Sequence, residues 1–119
     1  TFTITSGKTY KFKALLLHTA SSTGVSIRIG INANVAVTSV NQQISLGTAL
    51  NLQNQWFNLN SLGTVTFAGA NLQAQMMSTV EGILIANNTG TAAIQFSKGA
   101  TNAGTLTIKA GSILEYFEI

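Results

Sequence analysis

The chain has 119 residues, of which 45% are hydrophobic and only 8% are charged, with a net charge of +3. This length suits one domain with its own core, and the high apolar content with little charge excludes a disordered chain. Cysteine is absent, which excludes disulfides and thiolate metal sites. No apolar run approaches the roughly 20 residues of a membrane-spanning helix. The leaning to Thr, Val and Ile favours strands over helices.

The first long strand is predicted over Thr9–Ala20, where apolar side chains recur at every second position. Its other face begins with Lys11 and Lys13 but continues with Leu15 and Leu17. The second half of this strand is therefore apolar on both faces.

A loop is predicted over Thr19–Gly24, followed by a strand over Val25–Asn32 that alternates cleanly between apolar and polar residues. Its predicted core positions are Val25, Ile27, Ile29 and Ile31. Asparagine tolerates the left-handed backbone of a short loop, so Asn32–Asn34 favours a tight hairpin. The return strand is predicted over Val35–Val40.

In the middle of the chain the alternation of apolar and polar residues is less regular. Residues 41–63 predict one or two short strands among long loops, with Trp56 in an Asn- and Gln-rich loop. A strand is predicted over Thr64–Gly69, and Ala70–Thr79 is consistent with a loop or with a single helical turn.

The last third predicts four strands joined by turns, over Val80–Ala86, Thr91–Ser97, Thr105–Lys109 and Ser112–Ile119. About eight strands, with turn signals every dozen residues, are typical of an antiparallel β-sandwich of the jelly-roll kind. We expect residues 1–119 to form a single domain of this all-β class. Whether the chain is the C-terminal part of a longer or processed polypeptide stays open.

Three segments are apolar on both faces: Ala14–Leu17, Gly82–Ala86 and Leu114–Tyr116. One face can join the core, but a sandwich of this size has no third layer for the other. Burying one Leu or Tyr side chain contributes roughly 1.5–3 kcal/mol, so we expect a homo-oligomer, preferably a trimer. The predicted subunit contacts are Leu15, Leu17, Ile83, Ile85, Leu114 and Tyr116.

In the last strand this hypothesis assigns Ile113, Phe117 and Ile119 to the core and Leu114 and Tyr116 to the neighbouring subunit. The sequence leaves these two faces interchangeable.

Residues that could carry catalysis are scarce. The acids are Glu81, Glu115 and Glu118, with no aspartate, and His18 is the single histidine. A glycosidase needs two carboxylates flanking one bond, and strand geometry sends Glu115 and Glu118 to opposite faces. We therefore predict no enzyme activity, no metal site and no cofactor.

The structural expectations for these groups are specific. His18 should meet a backbone group near a strand end, and Glu118 should be a solvated end charge. Glu115 should lie near a Lys or Arg, and Glu81, at the edge of an apolar run, should pair with Arg28 or a lysine.

Two binding hypotheses remain. One sheet face could carry Lys11, Lys13 and Arg28 together. Six basic residues spread along the chain are, however, weak evidence for nucleic-acid binding. We predict neither nucleic acid nor membrane as a partner. Trp56 is the candidate ligand contact, because sugars bind to aromatic faces beside hydrogen-bonding groups. The alternative is an aromatic that caps one end of the sandwich.

Several short motifs are shared with one family. They are a T-G-x-x-I-R strand at Thr23–Ile29, an E-G pair before an apolar strand at Glu81–Ile85, Gln95-Phe96, and K-A-G-S at Lys109–Ser112. Together with the aromatic first strand they resemble a small C-terminal β domain of structural proteins of tailed bacteriophages. The resemblance covers about two-thirds of the chain, and residues 35–78 match nothing in it.

The resemblance implies a trimeric β-sandwich on the virion surface, as a capsid decoration protein, a head fibre or a fibre tip. The implied partners are further copies of the chain and the major capsid protein or another virion protein, with no catalytic residues. A tail-fibre tip that binds a host receptor or cell-surface glycan through the region of Trp56 is the alternative.

Overall fold

The computed structural model describes residues 1–22, 25–47, 55–66, 75–99 and 104–119, and these contain strands but no helix that could cross a membrane. The strands are β1 (Phe2–Ile4), β2 (Thr9–Ala20), β3 (Ile27–Ala33), β4 (Val37–Leu46), β5 (Gln55–Leu59), β6 (Gly63–Thr66), β7 (Met76–Ala86), β8 (Gly90–Lys98), β9 (Leu106–Ile108) and β10 (Ile113–Glu118).

The strands form two antiparallel sheets. The four-stranded sheet has the order β1-β8-β3-β6, and the six-stranded sheet has the order β10-β2-β7-β4-β5, with β9 also paired to β2. Strands β1 to β8 have the jelly-roll arrangement, in which successive strands lie in opposite sheets except for the paired β4 and β5. Strands β9 and β10 are added beside β2. The predicted all-β jelly-roll sandwich is confirmed, and the described residues hold ten strands where about eight were expected.

The core lies between the sheets and follows the two-residue period of the strands. Val25, Ile27, Ile29 and Ile31 are at most 1% exposed, as predicted, and the predicted bounds of the first long strand are those of β2. From the six-stranded sheet, fully buried side chains include Phe12, Ile44, Val80 and Leu84.

One polar side chain, Gln42, crosses this core. Its Oε1 accepts a hydrogen bond from the Ile31 N–H at 3.0 Å, and its Nε2 donates to the carbonyls of Ser61 (2.9 Å) and Gly63 (3.1 Å). A buried amide is tolerated only when its hydrogen bonds are made. Gln42 thereby fastens β4 to the facing sheet and to the β5–β6 turn.

The predicted hairpin at Asn32–Asn34 is wrong, because β3 and β4 belong to different sheets. The Asn34 N–H donates to the Thr91 carbonyl (3.1 Å), and the Asn34 Oδ1 accepts from the Thr91 N–H (2.8 Å). These bonds extend the pairing with β8 while the chain crosses to the other sheet. A short Asn-rich turn serves a sandwich corner as well as a hairpin.

The middle of the chain is more regular than predicted. Trp56 lies on a strand, β5, and not in a loop, and β7 begins at Met76, so the end of the predicted loop over Ala70–Thr79 is strand. Residues 48–54 and 67–74 of this region lie outside the described residues, as do residues 23–24 of the T-G motif and 100–103 of the later predicted turn.

The faces of β10 are the reverse of the first assignment. Leu114 pairs with Ala14 and Tyr116 with Phe12, whose side chains are buried in the sandwich. Paired residues share a face, so Leu114 and Tyr116 point inward. Ile113 and Phe117 therefore point outward.

Candidate functional site

The two sheets present different outer faces. Apart from Arg28, the outer face of the four-stranded sheet carries uncharged side chains: Thr3, Asn32, Thr64, Thr66, Thr91, Ala93, Gln95 and Ser97. The six-stranded sheet exposes charges, amides and large apolar side chains. Its outer face is therefore the candidate functional surface.

A charged row crosses the middle of this face. The register aligns Glu115, Lys13 and Glu81 on three adjacent strands, and the Lys13 Nζ lies 4.0 Å from the Glu81 Oε2. Opposite charges on neighbouring strands stabilise one another modestly. The predicted pairing of Glu81 with a basic residue is confirmed, and its partner is Lys13.

Apolar patches flank the charged row on both sides. The Leu15 patch is formed by Leu15, Leu17, Met77 and Ile113, and the Phe117 patch by Ile83, Ile85, Phe117 and Ile119. Within them Ile83, Ile113, Phe117 and Ile119 are 42%, 47%, 56% and 68% exposed. The Lys11 Nζ lies 6.0 Å from the centre of the Phe117 ring, at the outer limit of a cation–π contact.

A depression of about 560 Å³ lies beside these patches, and we call it the amide cleft. Its polar walls are Asn41, Gln43, Asn58, Asn60, Lys11 and Glu81. Trp56 is 62% exposed and lies on the same face of β5 as Asn58, two residues away, but it is not among the residues that line the cleft. The cleft can bind a ligand that has several hydroxyl or amide groups and one apolar side.

The predicted subunit contacts fall into two groups. Leu15, Leu17, Ile83 and Ile85 share the outer face of the six-stranded sheet. Leu114 and Tyr116 do not: Leu114 packs against the core, and the Tyr116 ring stacks on that of Phe2 at 4.4 Å between centroids.

The basic residues do not gather on one face. Lys11 and Lys13 lie on the outer face of the six-stranded sheet, whereas Arg28 lies on that of the four-stranded sheet and donates to the Thr66 hydroxyl at 2.9 Å. The shared basic face considered from the sequence is therefore wrong.

The two glutamates of β10 lie as predicted. Glu118 is a half-exposed charge at the end of the strand, and its Oε1 lies 2.8 Å from the Lys8 Nζ and raises the pKa of Lys8. Both side chains are about half exposed, and ion pairs of this kind contribute little to stability. Glu115 lies opposite Lys13, as predicted, on the other face of β10 from Glu118.

His18 meets a side chain and not the predicted backbone group. Its Nε2 lies 2.7 Å from the Ser78 Oγ, which also accepts the Gly47 N–H at 3.0 Å, and its Nδ1 has no partner among the described residues. Burial lowers the pKa of His18 to about 4, so the ring is neutral at pH 7. The pair is fully buried, which suits a structural role more than attack on a substrate.

The described ranges hold no group of three or more His, Cys, Asp or Glu residues that could bind a metal. Sequence reasoning missed the amide cleft, because its walls come from β2, β4, β5 and β7. The alternation of Asn41 and Gln43 with Val40 and Ile44 was the one available signal.

Comparison of the chain with protein-family models, with curated proteins and with solved structures finds no match in any of the three.

Proposed function

We propose that this chain is a virion structural protein of a tailed bacteriophage, and that it forms a homotrimer on the particle surface as a capsid decoration or head-fibre domain. The resemblance of the chain to such domains supports the viral assignment. The subunits associate through the outer face of the six-stranded sheet, and the assembly docks on the major capsid protein or on another virion protein.

The observation that carries the association is the pair of apolar patches on that face. Completing the burial of a half-exposed Ile or Phe contributes about 1 kcal/mol, so several such side chains on each partner can offset the entropic cost of association. The alternating charges of the row between the patches allow opposite charges to meet across the interface and fix its register.

The test is the mass of the protein in solution. At micromolar concentration, analytical ultracentrifugation should give three times the chain mass. Phe117→Asp and Ile83→Asp should shift the mass toward that of the monomer while the chain stays folded, because both side chains are already partly in water.

Thr3→Asp is the matched control, since it places the same charge on the outer face of the four-stranded sheet, and it should stay trimeric. Leu114→Asp should instead unfold the chain, because Leu114 packs against the core. A monomeric unsubstituted chain at tens of micromolar would contradict the proposed assembly.

A second candidate function is glycan binding in the amide cleft. The observation that favours it is the cluster of Asn41, Gln43, Asn58 and Asn60 around one depression, on the sheet face that also carries the exposed indole of Trp56. Carboxamides can bond to sugar hydroxyls, and an aromatic ring offers its face to the apolar side of a sugar.

Trp56 is the single tryptophan of the chain, so tryptophan fluorescence reports on the surface around Trp56, on the same face as the cleft. Titration with oligosaccharides of N-acetylglucosamine or of mannose should shift its emission, and Trp56→Ala should abolish retention on a column of the same sugar. Asn58→Ala should weaken the titration about tenfold, whereas Gln55→Ala, on the other face of β5, should not. An unchanged emission at millimolar sugar would count against this function.

A further inference from the structure

The amide cleft has a charge pattern that narrows the class of ligand it can bind. Among the described residues, its walls carry one cation, Lys11, and one carboxylate, Glu81. The Glu81 Oε2 lies 4.0 Å from the Nζ of Lys13, which is not a lining residue, so the charge of Glu81 is balanced from outside the cleft. The charge of Lys11 therefore makes the cleft positive.

None of the three glutamate side chains of the sequence forms an ion pair with Lys11. All three lie in the described part of the chain, and none of their oxygens is within 4.0 Å of the Lys11 Nζ. The glutamates are placed at other lysines: Glu118 at Lys8, Glu81 beside Lys13, and Glu115 opposite Lys13. The Lys11 ammonium is thus available to an anion from outside the chain.

The surroundings of Lys11 strengthen its attraction for such an anion. In the register of the sheet Lys11 lies between Phe117 of β10 and Ile83 of β7, both of them large, partly exposed apolar residues. The Lys11 Nζ lies 6.0 Å from the centre of the Phe117 ring. A charge beside apolar surface is screened less by water than a charge surrounded by water.

On the other side of Ile83, the cleft offers hydrogen-bonding groups at a regular spacing. Asn41 pairs with Ile83 in one row across the sheet, and Glu81, Gln43 and Asn58 are aligned in the next row. Such rows lie about 7 Å apart along the strands, and neighbouring strands lie about 4.8 Å apart. Carboxamides donate and accept hydrogen bonds and a carboxylate accepts them, so this arrangement suits a ligand with several hydroxyl groups.

We propose that the amide cleft binds an acidic sugar, whose carboxylate lies against the Lys11 ammonium while its hydroxyl groups bond to the carboxamides and to Glu81. This inference rests on the proposed glycan-binding function and names the class of sugar. Hydrogen bonds between charged groups are stronger than those between neutral groups. The carboxylate therefore decides which sugars the cleft prefers.

A ligand with several negative charges fits the cleft less well than a sugar with one. Lys11 is the single cation among the described residues that line the cleft. The Glu81 carboxylate on the same wall repels a second anionic group. A phosphate chain such as that of a nucleic acid gains one favourable contact and one unfavourable contact there.

The test is isothermal titration calorimetry of the whole chain with acidic sugars and their uncharged counterparts. Trigalacturonate and sialyllactose are each compared with their methyl esters, which have the same hydroxyl groups but no charge. The two acids distinguish a uronic acid from a sialic acid as the source of the carboxylate. At low salt, we expect one of the acids to bind about tenfold more tightly than its ester. High salt should reduce this preference, because it screens exposed charges.

Three variants locate the effect at Lys11. Lys11→Met removes the charge and should lower the affinity for the acid to that for the ester, whereas Lys11→Arg should keep the preference. Lys109→Met is the matched control, because exposed Lys109 donates its N–H to the Leu17 carbonyl, at the other end of β2 and about 20 Å from Lys11. It should bind both sugars as the unsubstituted chain does.

Two kinds of failure can be told apart. Equal affinity for the acids and their esters, or a preference for an acid that survives in Lys11→Met, would overturn the acidic-sugar assignment and leave the glycan function standing. If none of these sugars binds, and the oligosaccharides of N-acetylglucosamine and mannose do not bind either, the glycan function fails together with the assignment.

Discussion

His18 has a buried, neutral ring whose environment couples folding to pH. The ring is fully buried against Ser78, and the lowered pKa of about 4 results from burial, which disfavours the charged imidazolium. In the unfolded chain the same group titrates near 6.5. Between these values the unfolded chain binds more protons than the folded one, so acid favours unfolding.

We expect the free energy of unfolding to stay nearly constant above pH 6.5 and to decrease by about 3 kcal/mol as the pH drops to 4. The His18→Gln variant keeps a polar side chain, but that side chain cannot titrate. At pH 7 its free energy of unfolding should be lower than that of the unsubstituted chain, and between pH 6.5 and pH 4 it should fall less. Urea unfolding at several pH values measures both. If the free energy of unfolding decreased equally with pH in the two proteins, the acid sensitivity would belong to groups other than His18.

At the scale of the elements, the pairing of strands differs most from what local sequence suggests. The short turns after β3 and after β7 do not make hairpins, because in each case the next strand lies in the facing sheet. β9 and β10 are likewise neighbours in sequence, yet both pair with β2. Turn residues determine where a strand ends. Which strand it then pairs with is decided by burying the apolar inner faces of the two sheets against each other.

The contact between β3 and β6 shows how closely two strands approach where a side chain is missing. A Cβ on Gly30 would overlap the Gly63 carbonyl and lie 2.9 Å from the Thr64 Cα. These are backbone atoms, which cannot move aside as a flexible side chain can. The Gly63 carbonyl also accepts the Gln42 amide, so a shift there disturbs the core as well.

Gly30→Ala should therefore lower the free energy of unfolding by about 3 kcal/mol, measured by chemical denaturation. Arg28→Ala, on the same face of the same strand and exposed, should cost less than about 1 kcal/mol. A Gly30→Ala variant as stable as the unsubstituted chain would show that β6 can move away without loss.

The whole molecule is a sandwich with unlike outer surfaces. The outer face of the four-stranded sheet carries mainly Thr, Ser, Asn and Gln. These uncharged polar side chains suit permanent contact with water. The six-stranded sheet exposes the two apolar patches, which a monomer would leave in water at a cost. An assembly that buries the second surface and exposes the first is the proposed state of the protein.

Much of this could be predicted from the sequence. Alternation of apolar residues gave β2 its bounds and β3 its core positions, and the absence of Asp and Cys left few ways to build a catalytic or metal site. The apolar outer positions Leu15, Leu17, Ile83 and Ile85 were also visible, because a two-residue period assigns a strand's faces without reference to its neighbours.

The tertiary structure alone decided the partners of each strand. It showed that Leu114 and Tyr116 face inward, and that Asn41, Asn58 and Glu81 line one cleft walled by four strands. These features depend on contacts between residues far apart in the chain, and a local pattern holds no information about them. The sequence by itself determined which residues could be buried. The pairing of the strands decided which residues they are buried against.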